Sequence, residues 1–249
     1  MAKFNTNSNV YIIIYSVVMV VVVAVLLSVA SLSLQGRQYE NMLNEKKDQI
    51  VKALGENPEV TPYDSIITEA VVFDAEGNVL TNNAAEVFDV MKDLKGAFEQ
   101  GKYPAFKAAN GVVVPLYGAG LWGPIWGYVA LDTDMNTVKG IVLDHSGETP
   151  GLGAEITTAK HQAQYVGKSV FEGEELVGIT LKKGGADKSN PHEVDAITGG
   201  TKTSDGVSAM ILNSLNYYKP YFNAVRAAQA AAATEGAESN ELNNENNEQ

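Results

Sequence analysis

A long apolar segment without charge dominates the hydrophobic pattern near the N-terminus. Residues 10–34 are rich in valine, isoleucine and leucine, and no charged residue occurs between Lys3 and Arg37. Because about 20 apolar residues span a bilayer as a helix, the pattern predicts a short N-terminal segment over residues 1–9 and a transmembrane helix over residues 10–34. A cleaved signal peptide is the alternative, but its apolar region is shorter, so a retained anchor is favoured.

Helical spacing with mixed charge follows the apolar segment. Residues 37–55 predict a helix that ends at Gly55, and residues 35–60 are predicted to form a helical stalk or linker. At the other end of the chain, residues 227–249 are acidic, low in complexity and without a periodic apolar face. A disordered acidic tail is therefore predicted over residues 227–249.

Residues 61–226 carry the patterns of both strands and helices. Apolar alternation and short buried runs predict strands within residues 66–80, 106–120, 125–132, 138–145 and 176–184. Helical spacing predicts helices over residues 83–101, 153–167 and about 204–222. Because these elements interleave without a regular βαβ repeat, the predicted fold class is α+β.

Composition narrows the class of protein. The chain has no cysteine, which excludes disulfides, thiolate nucleophiles and cysteine-ligated iron–sulfur clusters. Its formal net charge is -12. An acidic protein does not release counterions from the phosphates of nucleic acid, so DNA or RNA binding is not expected. The three histidines lack the spacing of a zinc site, and no metal is predicted.

One glycine motif satisfies a nucleotide-binding pattern only formally. Residues 118–123 read GAGLWG, which matches G-x-G-x-x-G. A dinucleotide site needs a helix directly after the motif, but Pro124 and a predicted strand follow here. The absence of a predicted helix after the motif therefore argues against a dehydrogenase of the dinucleotide-binding type.

Two other loops are candidate ligand sites. In the first, a buried strand ends at His145, Glu148 and Thr149, and Pro150 with Gly151 is predicted to open a helix. A helix N-terminus at that point can bind an anion. The alternative is an ordinary loop hydrogen bond between His145 and Glu148.

The second loop, residues 195–207, reads DAITGGTKTSDGV. Gly199 and Gly200 leave backbone N–H groups accessible, and Ser204 is the predicted N-cap of the last helix. A phosphate is stabilised at such a helix N-terminus, and a threonine hydroxyl there can bind it or be esterified by it. The alternative is a simple helix cap without a ligand.

Three stretches taken together resemble a known family: residues 116–132, residues 145–156, and residues 195–204 before a final helix that contains YYKPYF. With the apolar anchor, they are similar to the C-subunit family of sodium-translocating NADH:quinone reductases, within the wider FMN-binding domain family. The resemblance covers nearly the whole chain. The GLWGPIWG and GETPGLGAEI stretches favour this family over its relative, the G subunit of the Rnf complex.

The resemblance implies an FMN-binding domain over residues 61–226, with FMN bonded through its phosphate to a threonine of a D-x-x-[ST]-G-A-T motif. Carried over, Asp195 begins the motif, Thr198 is its hydroxyl position and Thr201 is the FMN acceptor. Gly200 stands where the family has alanine, and the missing methyl group is expected to loosen the turn. The other residues implied to bind FMN are Gly199, Gly200 and Lys202 near the phosphate, and Trp122, Glu148, Thr149 and Leu152 near the ring. Thr203 and Ser204 are implied to flank the phosphate together with Lys202.

The implied function is that of a one-electron relay in a membrane-bound, sodium-pumping NADH:quinone oxidoreductase. The resemblance assigns NADH, quinone and Na+ to other subunits of the complex, and FMN attachment to a separate flavin transferase. No catalytic residue is expected on this chain, because the flavin supplies the redox chemistry.

The resemblance also implies a single-pass protein of the bacterial inner membrane with its FMN domain on the periplasmic side. Loop charge alone, with Lys3 before the apolar segment and Arg37, Lys46 and Lys47 after it, favours the opposite orientation by a thin margin. The resemblance outweighs this small charge difference.

Three other functions compete with this one. A G-type flavin subunit of an Rnf complex shares the wider family. A membrane-anchored module that holds a noncovalent ligand would use the same loops without esterification. A free-standing dehydrogenase is disfavoured by Pro124 and by the apolar anchor.

Overall fold

The computed structural model describes residues 8–245, with side chains described as far as residue 233. Helix α1, Asn9–Ala53, is long and apolar enough to cross a membrane, and its most apolar 18-residue window has a mean hydropathy of 3.1. The predicted transmembrane residues 10–34 lie within this helix. Most of the predicted segment 1–9 lies outside the described residues.

The last turns of α1 belong to a second compact unit, which begins at Lys47. In these turns Ile50 and Val51 are fully buried. The helix ends where Gly55 adopts a left-handed φ of 82° and donates its N–H to the carbonyl oxygen of Lys52 at 2.9 Å. Glycine adopts this conformation without steric cost, and the predicted helix end at Gly55 is confirmed.

The second unit mixes strands and helices. Its strands are β1 (Ile67–Phe73), β2 (Val79–Thr81), β3 (Tyr103–Ala108), β4 (Gly111–Ala119), β5 (Pro124–Leu131), β6 (Val138–His145), β7 (Phe171–Glu172), β8 (Glu175–Leu176), β9 (Thr180–Lys182) and β10 (Glu193–Asp195). Its α-helices after α1 are α2 (Tyr63–Ile66), α3 (Ala84–Val90), α4 (Leu94–Glu99), α5 (Ala159–Gln162) and α6 (Thr201–Glu245).

A six-stranded antiparallel sheet forms the centre of this unit. Its strand order is β2-β1-β3-β4-β5-β6, and β9 and β10 form a separate short parallel pair. The predicted apolar face of α6 is buried against the sheet through Val207, Met210, Ile211, Leu215 and Tyr218. The predicted α+β class is therefore confirmed.

The sheet opens between β3 and β4, and α6 fills the opening. These strands pair only from Phe106↔Val113 to Ala108↔Gly111, and the same register continued would place Pro104 opposite Pro115. Proline has no N–H to donate to a ladder, so the pairing stops there. Ser214 of α6 instead accepts the N–H of Tyr117 at 3.1 Å, and Tyr218 donates its hydroxyl to Pro104 O at 2.8 Å.

Replacing Tyr218 by phenylalanine is expected to destabilise the domain by about 1–2 kcal/mol, because the buried Pro104 carbonyl loses its donor. The matched control is Tyr217→Phe, which alters a side chain that is 37% exposed and is expected to change stability by less than about 0.5 kcal/mol. Thermal unfolding of the full chain in detergent measures both. Equal effects of the two substitutions would contradict this account of the opening.

Two predicted helices are interrupted in the structure. Residues 83–101 form α3 and α4 around a 3-10 turn, because Asp93 accepts the N–H of Gly96 and starts a new helix. Residues 153–167 form a 3-10 turn over Gly153–Thr157, then α5 and a further 3-10 turn. Here Thr158 caps α5 by accepting the N–H of His161.

The last helix is longer than predicted at both ends. It begins at Thr201, and Ser204 lies inside its first turn, so the predicted N-cap at Ser204 is wrong. The helix continues to Glu245 and includes much of the segment 227–249 that composition predicts to be disordered. Alanine, abundant after Arg226, has the highest intrinsic helix propensity, which favours this continuation.

Candidate functional site

The two candidate loops and one hairpin tip meet at the start of α6. The tip connects β4 to β5 and closes on itself through a hydrogen bond from Gly120 N–H to Gly123 O at 2.8 Å. It is followed by a strand, so the GAGLWG stretch does not form a dinucleotide-binding turn.

A tight turn presents the first residue of α6. Gly199 has a left-handed φ of 74°, and Gly200 donates its N–H to Ile197 O at 3.0 Å. The side chain of Ser204 reaches back from the first helical turn, accepts the N–H of Ile197 at 3.0 Å and donates to Gly200 O at 2.9 Å. Ser204 thus fixes the turn from inside the helix, rather than capping it.

The two threonines of the first helical turn lie in different surroundings. Thr201 is exposed, as are Thr198 and Lys202. Thr203 is 1% exposed and donates its hydroxyl to Glu148 Oε2 at 2.6 Å. The first N–H groups of a helix have no intrahelical partner, so Thr201 stands where an anion is favoured.

The space of the missing methyl group at Gly200 is occupied. A Cβ atom added there would lie 2.9 Å from Ile197 Cγ2 and 3.3 Å from the backbone N of Gly153. Gly200 is buried. The Ile197 side chain and the Gly153 backbone therefore pack where an alanine side chain would lie, and a looser turn stays a prediction.

Glu148 is a buried carboxylate at the centre of this arrangement. It is 4% exposed, and its Oε1 accepts the N–H of Trp122 at 3.0 Å. Burial opposes ionisation, but the hydrogen bonds from Thr203 and from the backbone N–H groups of Trp122 and Leu121 outweigh it and lower the pKa of Glu148. Glu148 is therefore ionised at neutral pH.

The loop around Glu148 is held locally. The N–H of Glu148 donates to His145 Nδ1 at 3.2 Å, which is the loop hydrogen bond expected if this loop is not a ligand site. Pro150 and Gly151 form a turn, with a left-handed φ of 75° at Gly151, and the 3-10 helix begins only at Gly153. The predicted helix start at Pro150 is wrong. Gly151 is left-handed and ends the turn, so the 3-10 helix starts two residues later at Gly153.

Apolar side chains are exposed around Thr201. Leu121 is 54% exposed, Trp122 68% and Leu152 42%. Leu152 lies against the turn: its Cδ2 is so close to Gly199 that a Cβ atom added to this glycine would lie 2.6 Å from it. These three side chains form the apolar rim, which lies near an anion-favouring helix N-terminus. A planar group that carries a phosphate fits such a surface.

The fold and this site define an FMN-binding domain. The family model described as "FMN-binding domain" matches residues 120–216, which include the hairpin tip, the Glu148 loop and Thr201. Among curated proteins, the C subunit of the Na+-translocating NADH-quinone reductase of Vibrio anguillarum is 32% identical over 209 residues, covering 75% of this chain and 82% of that protein. The chain belongs to the family of these C subunits.

Other relatives agree with this assignment. The C subunit of the Yersinia pestis reductase is 43% identical over 109 residues, covering 44% of this chain and 40% of that protein. The crystal structure of the C subunit from Parabacteroides distasonis has a TM-score of 0.69 and 35% identity, and covers 76% of this chain and 96% of that chain. The Shewanella oneidensis NqrC structure has a TM-score of 0.62 at 26% identity, covering 74% and 97% respectively.

Membership of this family establishes the broad function. The chain is an electron-transfer subunit with an FMN-binding domain, part of an oxidoreductase complex with other subunits. Together with the single apolar helix found in the described residues, this indicates a single-pass protein of the inner membrane.

The residues present fit the phosphate and the ring of FMN. Thr201, Thr198 and Lys202 offer hydroxyls and a cation at the helix N-terminus, and the apolar rim offers surface for a flavin. Sequence reasoning missed Leu121 in the rim. Thr203 and Ser204, which the resemblance implies to flank the phosphate, are buried, and their hydroxyls are bonded within the protein. Helical spacing could have indicated the burial of Thr203, because it lies four residues before Val207 on the apolar face of α6.

The buried histidine of α5, His161, makes the stability of the domain depend on pH. Burial lowers the pKa of His161 from 6.5 to about 4, and its Nε2 lies 3.1 Å from the hydroxyl of Tyr165. Because the unfolded chain binds this proton more readily, stability falls as the pH drops from 6.5 towards 4. The loss from this residue is expected to reach about 1.4 kcal/mol at pH 5.5. Comparing thermal unfolding of wild type and His161→Gln at pH 7.5 and 5.5 measures it, and identical pH dependence in both would refute it.

Proposed function

We propose that this chain carries FMN bonded through a phosphoester to Thr201 and acts as a one-electron relay in a sodium-pumping NADH:quinone reductase. The observation that carries the proposal is the position of Thr201. It is an exposed hydroxyl residue on the first turn of a helix, whereas the hydroxyl of Thr203 is buried and already bonded. The proposal agrees with the names of the relatives, which are Na+-translocating NADH-quinone reductase subunits.

The chain's own groups suit a phosphodiester at this position. Such an ester keeps one negative charge, which the free N–H groups of the first helical turn stabilise. Lys202 adds an exposed positive charge beside it, and Thr198 adds a hydroxyl before the turn. Gly199, with its left-handed φ, allows the turn to bring its backbone close to the phosphate. The predicted accessibility of the Gly200 N–H is wrong, because it donates to Ile197 O.

The flavin ring is proposed to lie against Trp122 and Leu152, with Thr149 and Glu148 nearby. Trp122 and Leu152 are exposed apolar side chains, and Thr149 is exposed in the same loop as Leu152. Both carboxylate oxygens of Glu148 are bonded within the protein, so its closeness to the ring would not require a direct contact. When bound, FMN supplies the one-electron chemistry, and the protein sets its surroundings.

The proposed assembly assigns the remaining tasks to partners. A separate flavin transferase attaches FMN, and other subunits bind NADH, quinone and Na+. The FMN domain is proposed to face the periplasm, where a covalent bond prevents loss of the cofactor from an exposed site.

The test is to express the full chain with and without a flavin transferase and to weigh it intact after denaturation. A fluorescent band on a denaturing gel, with a mass increased by one FMN less one water, is expected only with the transferase. A folded protein that holds flavin but releases it on denaturation would favour a noncovalent module. A folded protein without flavin, beside an active transferase, would exclude the flavin relay.

A further inference from the structure

The hairpin tip that carries Trp122 is connected to α6 through one buried side chain. Glu148 Oε1 accepts the N–H of Trp122 at 3.0 Å, and Oε2 accepts the hydroxyl of Thr203 at 2.6 Å. The tip, the loop and the helix are far apart in sequence, and Glu148 bonds to both of the other segments. A buried carboxylate is stable only when such hydrogen bonds replace its water.

Two glycines make room for this carboxylate. A Cβ atom added at Gly120, in the hairpin tip, would collide with Glu148 Oε1. A Cβ atom added at Gly153 would collide with Glu148 Oε2 and with Thr203 Oγ1. The backbone on both sides therefore approaches the carboxylate more closely than any other residue type would allow.

The hydrogen bond from Trp122 N–H to Glu148 reaches outside the hairpin tip, whereas the tip's own hydrogen bond does not. The bond between Gly120 and Gly123 closes the tip on itself and does not fix its position relative to α6. The side chains of Leu121 and Trp122 are exposed and contribute little packing. α6 approaches the end of β4 closely at Gly206. The Glu148 bonds extend this connection to the exposed Leu121–Trp122 part of the apolar rim.

We propose that Glu148 is a positioning residue that fixes the Leu121–Trp122 part of the apolar rim relative to the first turn of α6. It acts through the Trp122 backbone and the Thr203 hydroxyl, and without contacting the flavin. The consequence for the flavin rests on the proposed attachment at Thr201. The connection between the tip and the helix does not.

The first experiment needs no cofactor. Amide hydrogen exchange of residues 119–124 is measured in the full chain in detergent, for wild type, Glu148→Gln and Glu155→Gln. Glu155→Gln is the matched control, because it makes the same chemical change in the 3-10 turn that directly follows the Glu148 loop. Glutamine keeps a carbonyl oxygen but loses the charge, so the bond from the Trp122 N–H is expected to weaken and exchange at the tip to accelerate about fivefold or more in Glu148→Gln alone. Unchanged exchange at the tip would overturn the proposal.

A second variant tests the connection from the other side. Thr203→Val keeps the shape of the side chain but removes the hydroxyl that holds Glu148 Oε2. It is expected to accelerate exchange at residues 119–124, although the substitution lies on α6. If both variants speed exchange evenly across the domain, Glu148 serves general stability only and the positioning role is wrong.

The last measurement uses protein flavinylated by the transferase. The fluorescence lifetime and reduction potential of the bound flavin are compared between wild type, Glu148→Gln and Trp122→Phe, after intact mass confirms equal loading. A positioning role predicts that Glu148→Gln changes the lifetime in the same direction as Trp122→Phe. Wild-type values in Glu148→Gln would overturn the effect on the flavin. Absence of flavin in wild type would overturn the proposed function, while the exchange data still judge the connection.

Discussion

Replacing Thr201 by alanine is expected to abolish covalent flavin attachment completely. Thr201 is the exposed hydroxyl residue on the first turn of α6, and a phosphoester there would be stabilised by the free helical N–H groups. Alanine is a good helix former, so the substitution removes the hydroxyl without weakening the helix interior. In-gel flavin fluorescence and intact mass, after expression with the transferase, measure the loss.

Three control variants separate the hydroxyls of this region. Thr201→Ser keeps an acceptor and is expected to retain the added mass. Thr203→Val is expected to retain it too, because the hydroxyl of Thr203 is buried and donated to Glu148. Thr198→Ala tests the remaining exposed hydroxyl. Flavin that persists in Thr201→Ala and disappears in Thr198→Ala would move the attachment site to Thr198.

Replacing Gly206 by alanine is expected to destabilise the domain by about 1–2 kcal/mol, although it lies inside a helix. Helix propensity alone favours alanine by about 1 kcal/mol. The added Cβ would collide with the carbonyl oxygen of Ala119 and lie 3.3 Å from its carbonyl carbon. Backbone cannot turn aside as a flexible side chain can, and forced overpacking typically costs about 1–3 kcal/mol, sometimes more. The collision therefore outweighs the propensity.

The same substitution is expected to reduce flavinylation, because it pushes the first turn of α6 away from the end of β4 at the hairpin tip. Thermal unfolding of the full chain measures stability, and intact mass after transferase treatment measures loading. Gly36→Ala is the matched control, since a Cβ at this helical glycine meets nothing within 4 Å. A Gly206→Ala protein as stable as the Gly36→Ala protein would show that the helix and strand have room to separate.

Much of the fold follows from local pattern, and the exceptions have identifiable causes. The alternation over residues 106–120 predicts the β3–β4 region, and the apolar spacing of α6 predicts its buried face. The pattern does not reveal the opening of the sheet, which depends on two prolines meeting across strands. The predicted strand within residues 176–184 contains β9, but β10 was missed because it has only three residues.

The candidate site was predictable in its residues and less so in their surroundings. Motif resemblance selected Thr201 and Trp122. Both side chains are exposed in the structure. Resemblance placed Glu148 near the flavin ring, whereas its two oxygens bond to Trp122 N and Thr203 Oγ1. Burial is a property of the assembled fold, so spacing in one segment could not reveal it.

The opening between β3 and β4 has a consequence for the order of folding. The N–H of Tyr117 and the carbonyl of Pro104 are hydrogen-bonded by Ser214 and Tyr218, about 100 residues later in the chain. Contacts across such long loops form slowly, because chain entropy opposes them until α6 docks. The linear motif around Thr201 therefore exists before its apolar rim is assembled. A transferase that recognises the assembled surface would modify completed domains only, and flavin content would then report on the fraction of chains that had finished folding.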